Sequence, residues 1–208
     1  MKGGEINLKK VGMEKGLLYE TIITTKDSDN IPNAAPIGVL CKSENEVVAY
    51  LYQGSHTLEN IKSQRKFAVN IVTDPEIFVD CTITDPPLEY FRTYKDYFVL
   101  KNSPAYFTAE ITDIKTVQRK DRLGSSDLNV ITAQTRDILS KQDFIQPFNR
   151  ASFAIIESLI YFTRLELADD KTREDYMDRI REMSNLVNKV GGVKHKKAMN
   201  ALLNKINK

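Results

Sequence analysis

The chain of 208 residues is 41% hydrophobic and 28% charged with only 9 glycines and 7 prolines, which excludes collagen-like, mucin-like and low-complexity disordered proteins. Its 30 Lys+Arg against 28 Asp+Glu leave a net charge of +2, too balanced for a surface that grips nucleic acid or an acidic membrane all over. Two cysteines, Cys41 and Cys81, are too few for a disulfide framework or a thiolate zinc site and read as buried free thiols. The polar start of the chain, with no run near the roughly 18 apolar residues of a membrane span, reads as a cytoplasmic protein without a membrane partner.

Up to about residue 140 the chain is a series of β-rich segments: 17–25, 35–40, 47–52, 67–72, 79–83, 107–114 and 129–135. Val, Ile, Thr, Tyr and Phe dominate them, and Gly, Pro, Asn and Asp cluster between them. Six or seven such strands predict a barrel or sandwich. A helix is predicted over Thr57 to Arg65, and the ambiguous stretch from Asp85 to Pro104 offers a second around Pro87 to Asp96. After residue 140 the period turns helical. Asn149 to Leu167 is long, apolar and free of Gly and Pro, which predicts a helix buried on more than one side. Tyr176, Ile180, Met183, Val187 and Val190 form an amphipathic stripe that starts at Thr172 with Asp175 as a near capping box and stops at Gly191-Gly192. A last helix carries Met199, Leu202, Leu203 and Ile206 on one face. The expected organisation is mainly β with α, a barrel domain at 1–140 and a helical extension at 141–208.

Several chemistries lack their motifs. There is no GxGxxG after a strand and no P-loop sequence, so a dedicated dinucleotide or nucleoside triphosphate fold is unsupported. His56 and His195 are the only imidazoles and lie in different sections, which argues against a histidine metal site and a Ser-His-Asp triad. The acids Asp74, Glu76, Asp80 and Asp85 are scattered, with no pair marked as acid and base.

Three segments carry more information. Gly54-Ser55-His56-Thr57 follows a strand and opens a helix, so two hydroxyls and the unpaired amides of a helix start converge in a phosphate cradle. Asn60 returns to the same face, and Lys62 and Arg65 add positive charge; the plainer alternative is an ordinary cap made by Ser55 or Thr57. Asn33-Ala34-Ala35-Pro36 has no bulky side chain and would let a flat ligand approach the main chain, or is simply a loop into an edge strand. Asn70 stands at the centre of an apolar strand, where its amide needs a partner from a ligand or from a neighbouring turn.

Taken in order, NAAPIGV, YxGSxTxxNI and FxVNIVTDPExF resemble the archaeal flavin-binding split-barrel proteins of unassigned function, relatives of the flavin reductase and pyridoxamine phosphate oxidase barrels. The resemblance implies a six-stranded FMN-binding split barrel, a homodimer with FMN at the subunit interface, and a small-molecule redox substrate. By position, Ser55, Thr57 and Asn60 with the amide of His56 would hold the phosphate and ribityl end. Asn33, Ala34, Ala35 and Pro36 would border the ring, Asn70 would meet the ring or ribityl chain, and Tyr52 and Gly54 would shape the entrance. Tyr52 and His56 are the candidate proton donors, and no catalytic residue is assigned.

In the tail, Arg150, Glu157 and Arg164 are spaced by seven along one side of the long helix, with Glu157 expected to bridge ions. The sharper alternative brings Asn149 and Arg150, at the helix start, to the flavin phosphate or to an anionic substrate. Three functions follow in order: an FMN-dependent oxidoreductase, a flavin carrier without turnover, and a nucleic-acid module acting through six lysines from Lys189 onward, which read more simply as a solvated helix face.

Overall fold

The structure is a computed structural model that describes residues 6–84, 86–121 and 124–206, with 119–121 and 124–126 described by backbone alone. Asp85, named above, and Lys208, the last of the six lysines from Lys189 onward, lie outside the described residues. The chain divides into two compact units. One holds residues 19–148 with those before Gly16; the other holds Gly16–Leu18 with the residues from Asn149 onward, so that 141–148 belong with the first.

In the first unit, strands β1 (Leu18–Lys26), β2 (Pro32–Cys41), β3 (Glu46–Tyr52), β4 (Lys66–Ile71), β7 (Ala105–Asp121) and β8 (Gly124–Ser140) close a barrel in the order β1-β2-β3-β8-β7-β4. The expected six-stranded barrel is therefore present. Alternation makes its interior: Val47, Ala49 and Leu51 on β3, and Phe67, Val69 and Ile71 on β4, are all buried. The β2–β3 ladder is short, with partners Val39↔Ala49, Leu40↔Val48 and Cys41↔Val47. Beyond Ala49, β3 continues against β8 alone, from Tyr50↔Val130 to Tyr52↔Leu128. The Asn33–Gly38 stretch of β2 has no partner in the β3 ladder and stays in the closed barrel as a strand beside β1. β7 and β8 are each 17 residues long, well beyond the predicted 107–114 and 129–135, because their charged continuation carries no apolar period.

Two expectations in this unit are corrected. Residues 79–83 are not a strand but lie in helix α2 (Pro75–Ile83), which starts on the Asp74 side chain accepting from the Glu76 N–H at 2.9 Å, with Pro75 in the first turn. Nor is there a helix over 87–96. A short 3-10 turn at Leu88–Tyr90 leads into the hairpin β5 (Phe91–Tyr94) and β6 (Tyr97–Leu100), whose turn places Lys95 at a φ of 50°. The hairpin tip is tied down by Asp96, which accepts from Lys26 and Lys66; those two hydrogen bonds pull its carboxyl down to about 2.

Helix α1 (His56–Gln64) joins β3 to β4 and buries Thr57, Leu58 and Ile61, close to its predicted span. In the second unit, α3 (Arg150–Phe162), α4 (Asp170–Val190) and α5 (Val193–Ile206) share a core of Ala151, Ala154, Val187, Val190, Met199 and Leu202. The stripes predicted for α4 and α5 supply most of it. α4 begins earlier than expected, because the Asp169 carboxylate accepts from the Thr172 N–H at 2.8 Å and so caps the helix. α3 is not buried on more than one side: Ala151, Ala154 and Ser158 face the core, whereas Ile156, Leu159 and Ile160 are exposed. Glu157 makes no ion pair among the described residues, and Arg164 lies past the helix end, so the expected polar line does not form.

Candidate functional site

Where β3 leaves β2, the chain turns through Gly54 at a φ of 87°, a backbone that favours glycine, and enters α1. Ser55 is the N-cap: its Oγ accepts from the Leu58 N–H at 3.3 Å and donates to the Tyr52 carbonyl at 3.4 Å. That cap leaves the amides of His56 and Thr57 with no acceptor among the described residues, and both point out of the helix start with its positive dipole end. Lys62 reaches back from the last turn of α1 to the Gln53 Oε1 at 3.4 Å, and Gln53 in turn accepts from the buried Asn129 Nδ2 at 3.3 Å. One cation is thereby held beside the Gln53–Gly54 turn. Arg65 is a correction: it forms the C-cap at a φ of 58°, at the opposite end of the helix from the cradle.

A polar network adjoins this helix start. Asn33 Nδ2 donates to Thr57 Oγ1 at 3.0 Å and to Thr25 Oγ1 at 3.4 Å, and Asn60 Nδ2 donates to the same Thr25 oxygen at 3.1 Å. Thr25 and Thr57 are buried, 4% and 3% exposed, whereas the two asparagines are half-buried. Both Asn Oδ1 atoms lack a hydrogen bond among the described residues. Asn33, Ser55, His56, Thr57 and Asn60 are thus brought together as expected from their order in the chain. Thr25 completes the group and was missed, since nothing in the sequence separates it from the adjacent Thr24.

The remaining candidates divide. Ala35 and Pro36 are half-buried on the part of β2 that lacks a β3 partner, and Tyr52 is exposed beside the turn. Ala34 instead packs with Ile22, Val72 and Cys81 against Ile77 and Phe78 of α2, so its methyl belongs to the core. Asn70 is corrected. It is 0% exposed; its Nδ2 donates to the Ile22 carbonyl and to Thr24 Oγ1, both at 3.0 Å, and its Oδ1 accepts from the Leu100 N–H at 2.9 Å. Strands β1 and β6, not a ligand, supply its partners. Thr24 and Thr25 are consecutive on β1 and so point to opposite faces, which sets Asn70 on the other side of the sheet from the Asn33 network.

Asn149 is likewise spent inside its own unit. It caps α3 by accepting from the Ala151 N–H at 2.9 Å, and its Nδ2 donates to the carbonyls of Leu18 at 2.9 Å and Val190 at 3.1 Å. Arg150 is exposed in the first turn of α3. The same unit brings Ser152 Oγ to 3.0 Å from His195 Nε2, a pairing the sequence did not suggest. It is no nucleophile pair: the Gly192 N–H donates to Nδ1 at 3.2 Å, so Nε2 carries the proton and gives it to the serine oxygen. Burial pushes both the Cys41 and Cys81 thiols up to about 11, which removes them as nucleophiles near neutral pH.

The unpaired amides at the start of α1 and the Lys62 cation beside the Gln53–Gly54 turn suit an anion, the two amide oxygens suit hydroxyl donors, and the small residues of β2 suit a flat ring. A family model described as the N-terminal domain of a protein of unknown function (DUF447) matches residues 19–137, and a second DUF447 model matches residues 149–204. An uncharacterised protein of Methanocaldococcus jannaschii is 30% identical over 195 residues, covering 92% of this chain and 99% of that protein. Among solved structures, an FMN-bound DUF447 protein of Methanosarcina mazei is 29% identical with a TM-score of 0.54, covering 95% of this chain and 99% of that one. A flavin reductase domain protein of an Arthrobacter species, 11% identical with a TM-score of 0.51 over 64% of this chain and 82% of its own, shares the fold. The split barrel with its helical extension, matched over more than half its length by the first model alone, belongs to the DUF447 family.

Proposed function

We propose that the protein is an FMN-binding flavoprotein and that it works as an oxidoreductase of the flavin reductase type, with a small-molecule redox partner. The observation that carries this reading is the joining of unpaired helix-start amides, at His56 and Thr57, to the half-buried amide oxygens of Asn33 and Asn60. A phosphate ester on a polyol chain presents the matching groups: anionic oxygens and hydroxyl donors. The FMN-bound relative from Methanosarcina mazei supports the choice of FMN.

In this reading Ser55 keeps the helix start open, the His56 and Thr57 amides bind the phosphate, and Lys62 adds charge. The main chain of Ala35 and Pro36 borders the ring; Pro36 has no N–H, so hydrogen bonds there fall to its neighbours. Bound FMN would supply two-electron redox chemistry, for which no protein nucleophile is needed. The protein's part is to bind and orient the cofactor, and Tyr52 and His56, both exposed beside the turn, are the groups able to exchange a proton there. A homodimer is part of the proposal, supported by the exposed apolar side chains Ile156, Leu159 and Ile160 of α3; sedimentation of a single monomer species at micromolar concentration would refute that part.

The deciding experiment is an absorbance spectrum of the purified protein after incubation with FMN and removal of the excess. Retained flavin bands are expected, and their absence would refute the proposal. Anaerobic addition of NADH or NADPH then separates an oxidoreductase, which bleaches the bands, from a carrier, which does not.

A further inference from the structure

The side chain with the least obvious role in the site is Thr25. It lies at the end of β1, is 4% exposed, and its single oxygen accepts from two different amides, Asn33 Nδ2 at 3.4 Å and Asn60 Nδ2 at 3.1 Å. Those asparagines come from separate elements, β2 and α1. Asn33 commits both amide hydrogens, one to Thr25 and one to Thr57, so its Oδ1 is turned away from both hydroxyls. Asn60 is oriented through one hydrogen only, and that one goes to Thr25. Without the hydroxyl of Thr25, the side-chain amide of Asn60 has no hydrogen bond among the described residues and that of Asn33 keeps one of two.

We infer that Thr25 is a positioning residue that turns the Asn33 and Asn60 carbonyl oxygens outward as a pair of acceptors, and that this pair reads the hydroxyl groups of a polyol chain. The inference rests on the flavin reading and divides its site: the helix start takes the phosphate, and the asparagine pair takes the ribityl hydroxyls. Charge separates the two roles. Neutral amide oxygens repel a phosphate but accept from hydroxyls, whereas backbone N–H groups do the reverse. Thr25 is 4% exposed and accepts from both amides, so its effect on a ligand is transmitted through the two asparagines.

Three flavins separate the parts: FMN, riboflavin, which keeps the ribityl chain without the phosphate, and lumiflavin, which lacks both. Affinities are read by quenching of flavin fluorescence for the wild type, Thr25→Val and Thr25→Ser. The valine is close in shape and lacks the hydroxyl, so it should weaken FMN and riboflavin by the same factor, about five- to twentyfold, and leave lumiflavin unchanged. The serine should restore both to within about threefold of the wild type. Weakening of FMN alone would move Thr25 to the phosphate; equal weakening of all three without rescue by serine would make it a fold residue; no change would remove it altogether. Each of these overturns the inference. A further comparison needs no variant: the wild type should bind riboflavin at least tenfold tighter than lumiflavin, and equal affinities overturn the reading of the polyol. Failure of the wild type to bind any of the three sinks the flavin proposal itself, a different result from selective failure at Thr25.

Discussion

Replacing Asn70 by Ala separates a residue that holds the fold from one that holds a ligand. The side chain is 0% exposed and makes three hydrogen bonds, two as donor to Ile22 and Thr24 at 3.0 Å and one as acceptor from the Leu100 N–H at 2.9 Å. Truncation leaves the Leu100 N–H buried without an acceptor, which costs about 1–3 kcal/mol. The Thr24 hydroxyl keeps its bond to the Phe98 carbonyl at 2.6 Å, so its loss is smaller. The cavity adds to this, for a total of about 2–4 kcal/mol, or a fall of about 6–12 °C in melting temperature for a chain of this size. The damage should concentrate in the β5–β6 hairpin, because Leu100 and Phe98 both belong to β6. The chain has no Trp, and two of its nine tyrosines, Tyr94 and Tyr97, lie in the hairpin, so a partial loss of the near-ultraviolet circular dichroism of tyrosine, followed alongside calorimetry, registers damage there. FMN affinity measured well below the transition should stay within about twofold. A melting temperature within 1 °C of the wild type together with a tenfold loss of FMN affinity would refute the reasoning and return Asn70 to the site.

Lys62→Met keeps the length of the side chain and removes the charge beside the Gln53–Gly54 turn, so FMN should bind about three- to tenfold more weakly and with a shallower salt dependence, while riboflavin is unaffected; this is read by titration at two ionic strengths. Gly12→Ala meets Ile145 and Pro147, the latter at 2.8 Å from the new carbon, at a φ of 74°; unfolding in urea should show a loss of about 2–5 kcal/mol. Cys41 and Cys81, held up to about 11 by burial against 9.0 unperturbed, should resist a thiol reagent at pH 8 until the protein unfolds. Because their folded values lie above the unfolded ones, the stability they contribute is whole below pH 9 and is lost as pH rises from 9 towards 11, which denaturant midpoints across that window measure. Asp96 has the opposite sign: its carboxyl is lowered to about 2, so the tie from Lys26 and Lys66 holds above pH 4 and should fail as pH falls from 4 to 2, seen as loss of the tyrosine signal.

The stripes of α4 and α5 are legible in the sequence because one face of each is buried and the period of burial is the period of the residues, whereas β1 and β4 are buried on both faces and show as short runs rich in β-branched and apolar residues. α2 is not, since Val79 to Ile83 is rich in β-branched residues; the deciding signal is the Asp74-Pro75 pair, which sets a cap and a first-turn proline ahead of them. The β5–β6 hairpin hides for a related reason. Its turn is Lys95-Asp96, with neither the Gly nor the Asn that marks a two-residue turn, and the left-handed Lys95 is held by the ties on its neighbour Asp96. That one misreading propagates to the site. Asn70 is rightly marked as an amide that needs a partner, but the partner is the Leu100 N–H, and it exists only if residues 91–100 fold back as a hairpin. With the hairpin unseen, a ligand stands beside a neighbouring turn as a candidate partner, and Asn70 passes for a binding residue. Thr25 shows the converse. Four side chains from positions 25, 33, 57 and 60 meet only because barrel closure brings β1, β2 and α1 together, and the one-residue alternation of a strand decides which of two neighbouring threonines joins them. The motif around Gly54 to Asn60 is local, so the sequence displays it; the hub that orients its asparagines is set by register, and register is a property of the closed barrel.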